Sequence, residues 1–373
     1  MFETEFNLAP GICHLNHAAV APWPQRTVRA VEAFCEENAT VGSQHYAKWL
    51  EIEQQLRERL AQLINAVGSD EIALLKSTSE ALSIVAWGLD WQPGDEVIIS
   101  TQEFPSNRII WESLQPSGVI VRQVELGGCE NPEQRLIEAM TPQTRLLSVS
   151  SVHYATGLAL DLVPLGQACR DREIAFCVDA IQSIGALPFD VQACQADFVM
   201  ADGHKWMLGP EGLALFYCRR EWIDRLTLHQ FGWRMVEAMG EFDRTDWEPA
   251  HSARRFECGS PNMLGIHALH ASIGLLLETG AKTISNSIST NLSYLTDYLL
   301  NNSAIILSEI RPEHRAGIVT FRIPGDDTEA RYLRLQEQGV LCALRGGGVR
   351  FSPHFYTPKR VMDKALELAC QPA

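Results

Sequence analysis

The 373 residues predict an α/β fold, a mostly parallel sheet covered by helices and followed by a smaller α/β lobe. Two patterns carry that prediction. From about residue 70 to 218, short runs rich in Val, Ile and Leu alternate with amphipathic segments of roughly 10 to 15 residues. These runs are nearly continuous in apolar residues, as expected of strands buried on both faces of a helix-covered parallel sheet. After residue 225 the alternation gives way to a polar loop, two long helical patterns and a few short β runs, which reads as a second unit.

Two helices are predicted ahead of the sheet. One opens at Pro24 in PWPQRTVRAVEAFCEEN, where a proline suits the first helical turn, and one spans about 46–65, where EIEQQLRERL carries i,i+4 charge pairs. The strands are IALLK, EVIIS, VIVRQVE, RLLSVSSV, FCVDA, DFVMAD and GLALFYC, with helices from Ser79, from Ser106, after Pro132 and over DLVPLGQACRDR. A loop rich in Gly, Trp and charge (229–262) leads into helices over about 263–278 and 283–301. GIVTFRI and VLCAL flank a short helix and RFSPHF precedes a last one, giving a lobe predicted to be antiparallel.

Bulk properties restrict the function. Apolar residues at 46% and charged residues at 21% are ordinary for a soluble globular chain, and no segment approaches the run of roughly 18 apolar residues a membrane span needs. A formal charge of −15 with no Lys/Arg cluster argues against a nucleic-acid partner. The opening MFETEFNLAPG lacks the basic-then-apolar order of a signal peptide, so a cytoplasmic protein with reduced cysteines is expected. No Cys-x-x-Cys pair occurs, and the His14/His17 and His267/His270 pairs lack acidic partners at ligand spacing, so no metal site is expected.

Glycine-rich cofactor fingerprints and hydrolase or zinc-protease motifs are also absent, which leaves polar residues at strand ends, where ligands bind in such sheets. Asp179 closes FCVDA, with Gln182 one turn on; it is either a helix cap or a functional acid. Lys205 follows DFVMAD, and a lysine partly desolvated in a cleft becomes a nucleophile toward aldehydes, whereas a solvated one does not. Thr78 and Ser79 stand where a strand hands over to a helix, as an anion site or as a plain N-cap. Phe104 follows EVIIS, as a ring that stacks on a planar group or as a core residue. Arg345 and Arg350 flank a glycine triplet, suited to a carboxylate or to surface ion pairs. Taken together, these are the groups that pyridoxal phosphate acting on an amino acid requires.

The motifs LNHAAVAPWP, STSEAL, SVHYATGLALDL, VDAIQSIGALPFDV, ADGHKWMLGPEGLALFY, FECGSPN and VRFSPHFYT occur in that order. In this the chain resembles, over nearly its whole length, the class V aminotransferase family of fold-type-I pyridoxal-phosphate enzymes, which includes cysteine desulfurases and isopenicillin-epimerase-like proteins. The resemblance implies a large domain over 18–260 with a seven-stranded, mostly parallel sheet. It implies a small domain formed by 1–17 and 261–373, and a homodimer with shared active sites. It also implies Lys205 as the internal-aldimine lysine and proton shuttle, Asp179 as partner of the pyridinium nitrogen, and Gln182 and His153 near the phenolic oxygen. Thr78, Ser79 and His204 would hold the phosphate, Ser260 that of the neighbouring subunit, and Phe104 the ring face. Arg350 would bind the substrate carboxylate, helped by Asn16, His17 and Ala19.

Two departures bear on the chemistry. Where many relatives carry Ser or Thr before Gly-His-Lys, this chain has Asp202, whose charge opposes a phosphate; it is expected to orient His204 instead. Desulfurases carry a mobile cysteine in an extended loop before the carboxylate arginine, whereas here that loop is the short LRGGGVRF and Cys342 lies in the apolar run VLCAL. The expectation is therefore transamination of an α-amino acid, with β-elimination, desulfurase-like C–S cleavage or epimerisation as the alternative. A non-catalytic pyridoxal-phosphate-binding regulator fits less well.

Overall fold

A computed structural model of the chain describes residues 4–371. The outermost parts of the small domain expected from the sequence, residues 1–3 and 372–373, lie outside the described residues. Chain order begins with β1 (Cys13–His14), then α1 (Gln25–Val41) and α2 (Tyr46–Leu63). The sheet region follows as β2 (Ile72–Leu75), α3 (Thr78–Gly88), β3 (Glu96–Ser100), α4 (Pro105–Glu112), β4 (Ile120–Val124), α5 (Pro132–Ala139), β5 (Thr144–Ser150), α6 (Leu162–Asp171), β6 (Ala175–Asp179), β7 (Phe198–Asp202) and β8 (Ala214–Cys218). A short α7 (Arg220–Ile223) and a long loop lead to α8 (Met263–Thr279) and α9 (Ala281–Asn301). The chain closes with β9 (Ile305–Ile306), β10 (Val319–Arg322), α10 (Thr328–Glu337), β11 (Val340–Leu341), β12 (Ala343–Arg345), β13 (Gly348–Phe351) and α11 (Lys359–Cys370).

All seven expected strands pair into one sheet of order β2-β8-β7-β6-β5-β3-β4. The run from β4 through β3, β5 and β6 to β7 is parallel, while β8 is antiparallel to both β7 and β2. Every residue of β3, β6 and β8 is buried, so side chains on both sheet faces leave water, as their unbroken apolar runs imply. Only β4, at the edge, is largely exposed. Helix α3 starts because Ser77 caps it, its hydroxyl accepting from the Glu80 amide, and α4 starts on Pro105 at its first turn.

The second unit is antiparallel as expected, a four-stranded sheet of order β12-β13-β10-β9. VLCAL does not form one strand there. Its first half, β11, pairs in parallel with β1, and its second half, β12, pairs antiparallel with β13, because Cys342 breaks the run between them. The N-terminal segment is thereby fastened to the C-terminal one, and an Asn16–Ser352 bridge extends that link to the chain around Asn16. Helix α8 packs on α1 and α2. A buried ion network ties α2 to the loop before α8: Arg57 donates to Glu53 and to Glu257 at 2.5 Å each, and Arg234 reaches Glu53. Among the described residues no helix is long and apolar enough to cross a membrane.

Candidate active site

Strands β5, β6 and β7 end side by side, and the β5–β6 register sets Ser150 opposite Asp179. Asp179 is buried; its Oδ1 accepts from the Ile181 amide at 3.0 Å and its Oδ2 from Asn107 Nδ2 at 2.6 Å. Burial raises the Asp179 carboxyl above its ordinary range, while the Ile181 amide, Lys205 and Asn107 pull it back. Asn107, on the first turn of α4, is fully buried and was not among the residues expected from the sequence. Its Nδ2 also lies 3.4 Å from Ser150 Oγ, and Ser150 donates from both its amide (2.8 Å) and its hydroxyl (2.5 Å) to Glu103. A chain of hydrogen bonds thus runs from Glu103 through Ser150 and Asn107 to Asp179. Burial pushes Glu103 up to about 7. A buried Asn in the first turn of a helix 72 positions from the acid it bonds shows no pattern in one sequence, and only Phe104, three residues earlier, signalled that this loop reaches the site.

Lys205 stands three residues beyond the end of β7. Its Nζ lies 5.9 Å from the centroid of the Phe104 ring, which is itself half exposed and packs edge-on against Tyr154. Burial pulls the Lys205 amine down to about 8; Arg350 and Arg345 act in the same direction, and Asp179 and Asp202 against it. The main chain behind the lysine is tightly fixed. Gly185 approaches so closely, at φ +96°, that a Cβ there would lie 2.2 Å from the Trp206 carbonyl oxygen. Trp206 is fully buried, donates to Gln182 Oε1 at 2.8 Å and accepts from His354 Nε2 at 3.1 Å.

At the start of α3, Thr78 is buried with no partner for its Oγ1, and Ser79, exposed, donates to Ser106 Oγ at 2.9 Å. His204 Nδ1 is likewise buried without a partner, and burial drives that imidazole down to about 4, so it is neutral. Asp202 does not orient His204 as expected. Its Oδ1 accepts from the Thr78 amide at 3.3 Å, because the β7 end abuts the α3 N-terminus.

Arg350 lies in β13, 2% exposed; Nη1 donates to the Tyr154 carbonyl at 2.5 Å and Nη2 to Asn16 Oδ1 at 3.5 Å, leaving Nε buried and unpartnered. Ala19 is half-buried beside that segment, its amide donating to the Asn16 carbonyl. Three expected contacts already spend their polar atoms inside the protein. His17 is fully buried, donating to the Ser352 carbonyl at 2.9 Å and meeting the Tyr356 hydroxyl at 2.6 Å. His153 is bound between Thr156 and the Gln102 carbonyl, and Gln182 donates to the Ala18 carbonyl at 3.0 Å as well as holding Trp206. Ser260 is exposed in the loop before α8. Cys342 is buried, its thiol pushed up to about 12 by burial, with Gln336 Nε2 3.7 Å from the sulfur.

The aminotransferase class-V family model matches residues 13–354. The chain belongs to that family. It shares the family's cofactor, pyridoxal phosphate, and the residues here fit it. Three buried polar atoms without protein partners, Thr78 Oγ1, His204 Nδ1 and Arg350 Nε, accompany a lysine of lowered basicity and a buried carboxylate. A Methanothermobacter thermautotrophicus protein named probable cysteine desulfurase is 33% identical, over 92% of this chain and 90% of the relative. A Bacillus subtilis protein named uncharacterized aminotransferase YcbU is 27% identical over 91% and 88%. Among solved structures, a complex between the cystine C–S lyase C-DES and cysteine persulfide superposes with a TM-score of 0.89 at 24% identity, covering 99% of both chains. A cysteine desulfurase from Thermococcus onnurineus superposes at 0.88 with 23% identity, over 98% of this chain and 96% of the other. At those identities the superpositions speak to the fold.

Proposed function

We propose that this class-V enzyme cleaves a Cβ–S bond of an α-amino acid by β-elimination, with Lys205 removing the α-proton. The observation that carries the reading is the Lys205 amine, lowered to about 8 and within electrostatic reach of Asp179 and Arg350. When bound, pyridoxal phosphate supplies an aldehyde for amines and a ring that absorbs the electron pair released at Cα. Asp179, kept ionisable by Asn107 and the Ile181 amide, holds a proton at the ring nitrogen. Phe104, whose ring centroid lies 5.9 Å from the Lys205 amine, would cover one face of the ring. Thr78, Ser79 and His204 hold the phosphate, with Ser260 serving the neighbouring subunit of a homodimer. Arg350, oriented by Asn16 and Tyr154, binds the substrate carboxylate. Gln182, His153 and His17, whose polar atoms are engaged elsewhere, shape the walls. The unit over 18–260 carries the lysine and the 261–373 unit the arginine.

In the elimination, the Cα–H bond breaks to Lys205 and its electron pair becomes the Cα–Cβ double bond. The Cβ–S pair leaves with sulfur as a thiolate, and water then releases a 2-oxo acid and ammonia. The names of relatives favour sulfur chemistry. The state of Cys342 favours simple elimination over transfer to a protein thiol, since a thiol pushed up to about 12 is a poor nucleophile.

Transamination is the second reading, favoured by Phe104, a side chain with no proton to give a departing thiolate, beside the lysine. Incubating the holoenzyme with cysteine, cystine and a panel of other amino acids separates the two. Pyruvate and a thiol or persulfide, without pyridoxamine phosphate, support elimination. Pyridoxamine phosphate with a 2-oxo acid overturns it in favour of transamination.

A further inference from the structure

The carboxylate of Asp202 lies at the N-terminus of α3. It is the last residue of β7, and its Oδ1 accepts from the Thr78 amide, the first of α3, at 3.3 Å. Ser77 Oγ already takes the Glu80 amide, so two side chains of this protein cap that helix start. Beside them the Thr78 hydroxyl, 4% exposed, makes no hydrogen bond of good geometry, and it lies close enough to the Asp202 carboxylate to favour its charged form. A phosphate at the same amides would lie against that carboxylate.

We propose that Asp202 is itself a ligand of the cofactor phosphate and serves as one only when protonated, so that binding each cofactor takes up about one proton. The inference rests on reading the α3 N-terminus as the phosphate cradle. Ionised, Asp202 repels a phosphate and competes with it for the Thr78 amide. Protonated, it donates to a phosphate oxygen and frees that amide. A Ser or Thr in its place would donate with no proton to gain.

The groups facing Asp202 leave this linkage intact. Asp179, from β6, is a second acid, and Lys205 is the nearby cation, whose amine is the group that bonds the cofactor. His204 beside it is neutral. Glu80, the acid in the first turn of α3, is turned away to the Lys76 amide at 2.6 Å. Burial, with Asp179, pushes the Asp202 carboxyl up to about 6 even without a phosphate. The sign follows. A nearby phosphate raises it further, so the phosphate's contribution to affinity is greatest below about pH 6 and falls as pH rises, by ~tenfold per pH unit at the limit of one proton.

The test measures the affinity of cofactor-free protein for pyridoxal phosphate and for pyridoxal between pH 6 and 9, in the natural protein and in Asp202→Asn and Thr78→Val. Pyridoxal lacks the phosphate but bonds the same lysine, so the affinity ratio isolates the phosphate. The natural protein should lose that ratio steeply above about pH 6.5. Asp202→Asn should be flat, and tighter than the natural protein at pH 8.5 by about tenfold or more. The ³¹P shift of the bound cofactor should move with pH in the natural protein and not in Asp202→Asn. Equal slopes in the two proteins, or weaker binding by Asp202→Asn throughout, overturn the inference while leaving the cradle standing. If Thr78→Val leaves the ratio unchanged, the cradle reading fails and the inference with it; a lowered ratio supports both.

Discussion

Replacing Asn107 with alanine should cost stability in proportion to the ionisation of Asp179. Asp179 has two protein hydrogen bonds, from Ile181 N and from Asn107 Nδ2, and the latter is the shorter at 2.6 Å. A hydrogen bond to a charged group contributes about 1.5–3 kcal/mol and a neutral one about 0.5–1.5, so the charge-dependent part is roughly 1–1.5 kcal/mol. That equals about one pKa unit. Burial already raises the Asp179 carboxyl, so the folded chain holds its proton more tightly than the unfolded chain does. The stability this gives is full below the unfolded pKa and is lost as pH rises through the folded one. Asn107→Ala moves the folded value further up, so the deficit of the variant grows with pH and levels off once Asp179 is ionised in both proteins. Urea unfolding of cofactor-free natural protein, Asn107→Ala, Asp179→Asn and the double variant, from pH 5 to 8.5, reads this directly. A coupling energy of about 1 kcal/mol or more at pH 8.5, shrinking toward pH 5, is expected. A coupling below about 0.5 kcal/mol, or a deficit that does not change with pH, would refute the reasoning.

Three further outcomes follow from the same geometry. In cofactor-free protein, Lys205 should react with an amine-selective acylating reagent with an inflection near pH 8, below the roughly 10.4 of solvated lysines; mass-spectrometric mapping that finds it no faster than the others at pH 8 sinks this. Gly185→Ala should cost about 2–4 kcal/mol and lower kcat, since the new Cβ would sit 2.2 Å from the Trp206 carbonyl oxygen at positive φ; unchanged urea midpoints would contradict it. Arg350→Lys should raise KM for the amino-acid substrate by about tenfold to a hundredfold, with a much smaller effect on kcat, because the planar guanidinium that Tyr154 and Asn16 orient becomes a point charge; an unchanged KM would remove Arg350 from the substrate site.

What the sequence disclosed and what it withheld divide along a physical line. The seven strands were legible because burial on both faces forces an unbroken apolar run, whatever the neighbours are. The direction of β8 was not, since GLALFYC reads alike in parallel and antiparallel pairing; its reversal follows from the short connection between β7 and β8, which leaves no room for a crossover helix. Lys205 and Asp179 stood out as charges closing apolar strands. Asn107 and Glu103 did not, because their significance lies in bonds to residues 72 and 47 positions away. For the same reason His17, His153 and Gln182 looked available. Residue type shows what a side chain can bond, and only tertiary packing shows which bonds it has already made.

The backbone that carries Lys205 shows why that lysine can act while its surroundings stay fixed. Leu208 adopts φ +61°, which costs a branched residue about 1–3 kcal/mol. Distant elements hold it there. Ser272 on α8 donates to the Leu208 carbonyl at 2.9 Å and is itself bonded to Thr27 on α1. The Leu208 side chain is fully buried, and the Gly209 amide returns to the Gly203 carbonyl at 2.8 Å. Trp206 is gripped from the β6 turn by Gln182 and from the C-terminal unit by His354. With the main chain held at Trp206, Leu208 and Gly209, the part left to rotate is the four-carbon lysine stem, whose Nζ lies 5.9 Å from the centroid of the Phe104 ring. In the proposed elimination Lys205 has to take a proton and return, and a loop that moved with the amine would lose the geometry of the cleft at each turnover.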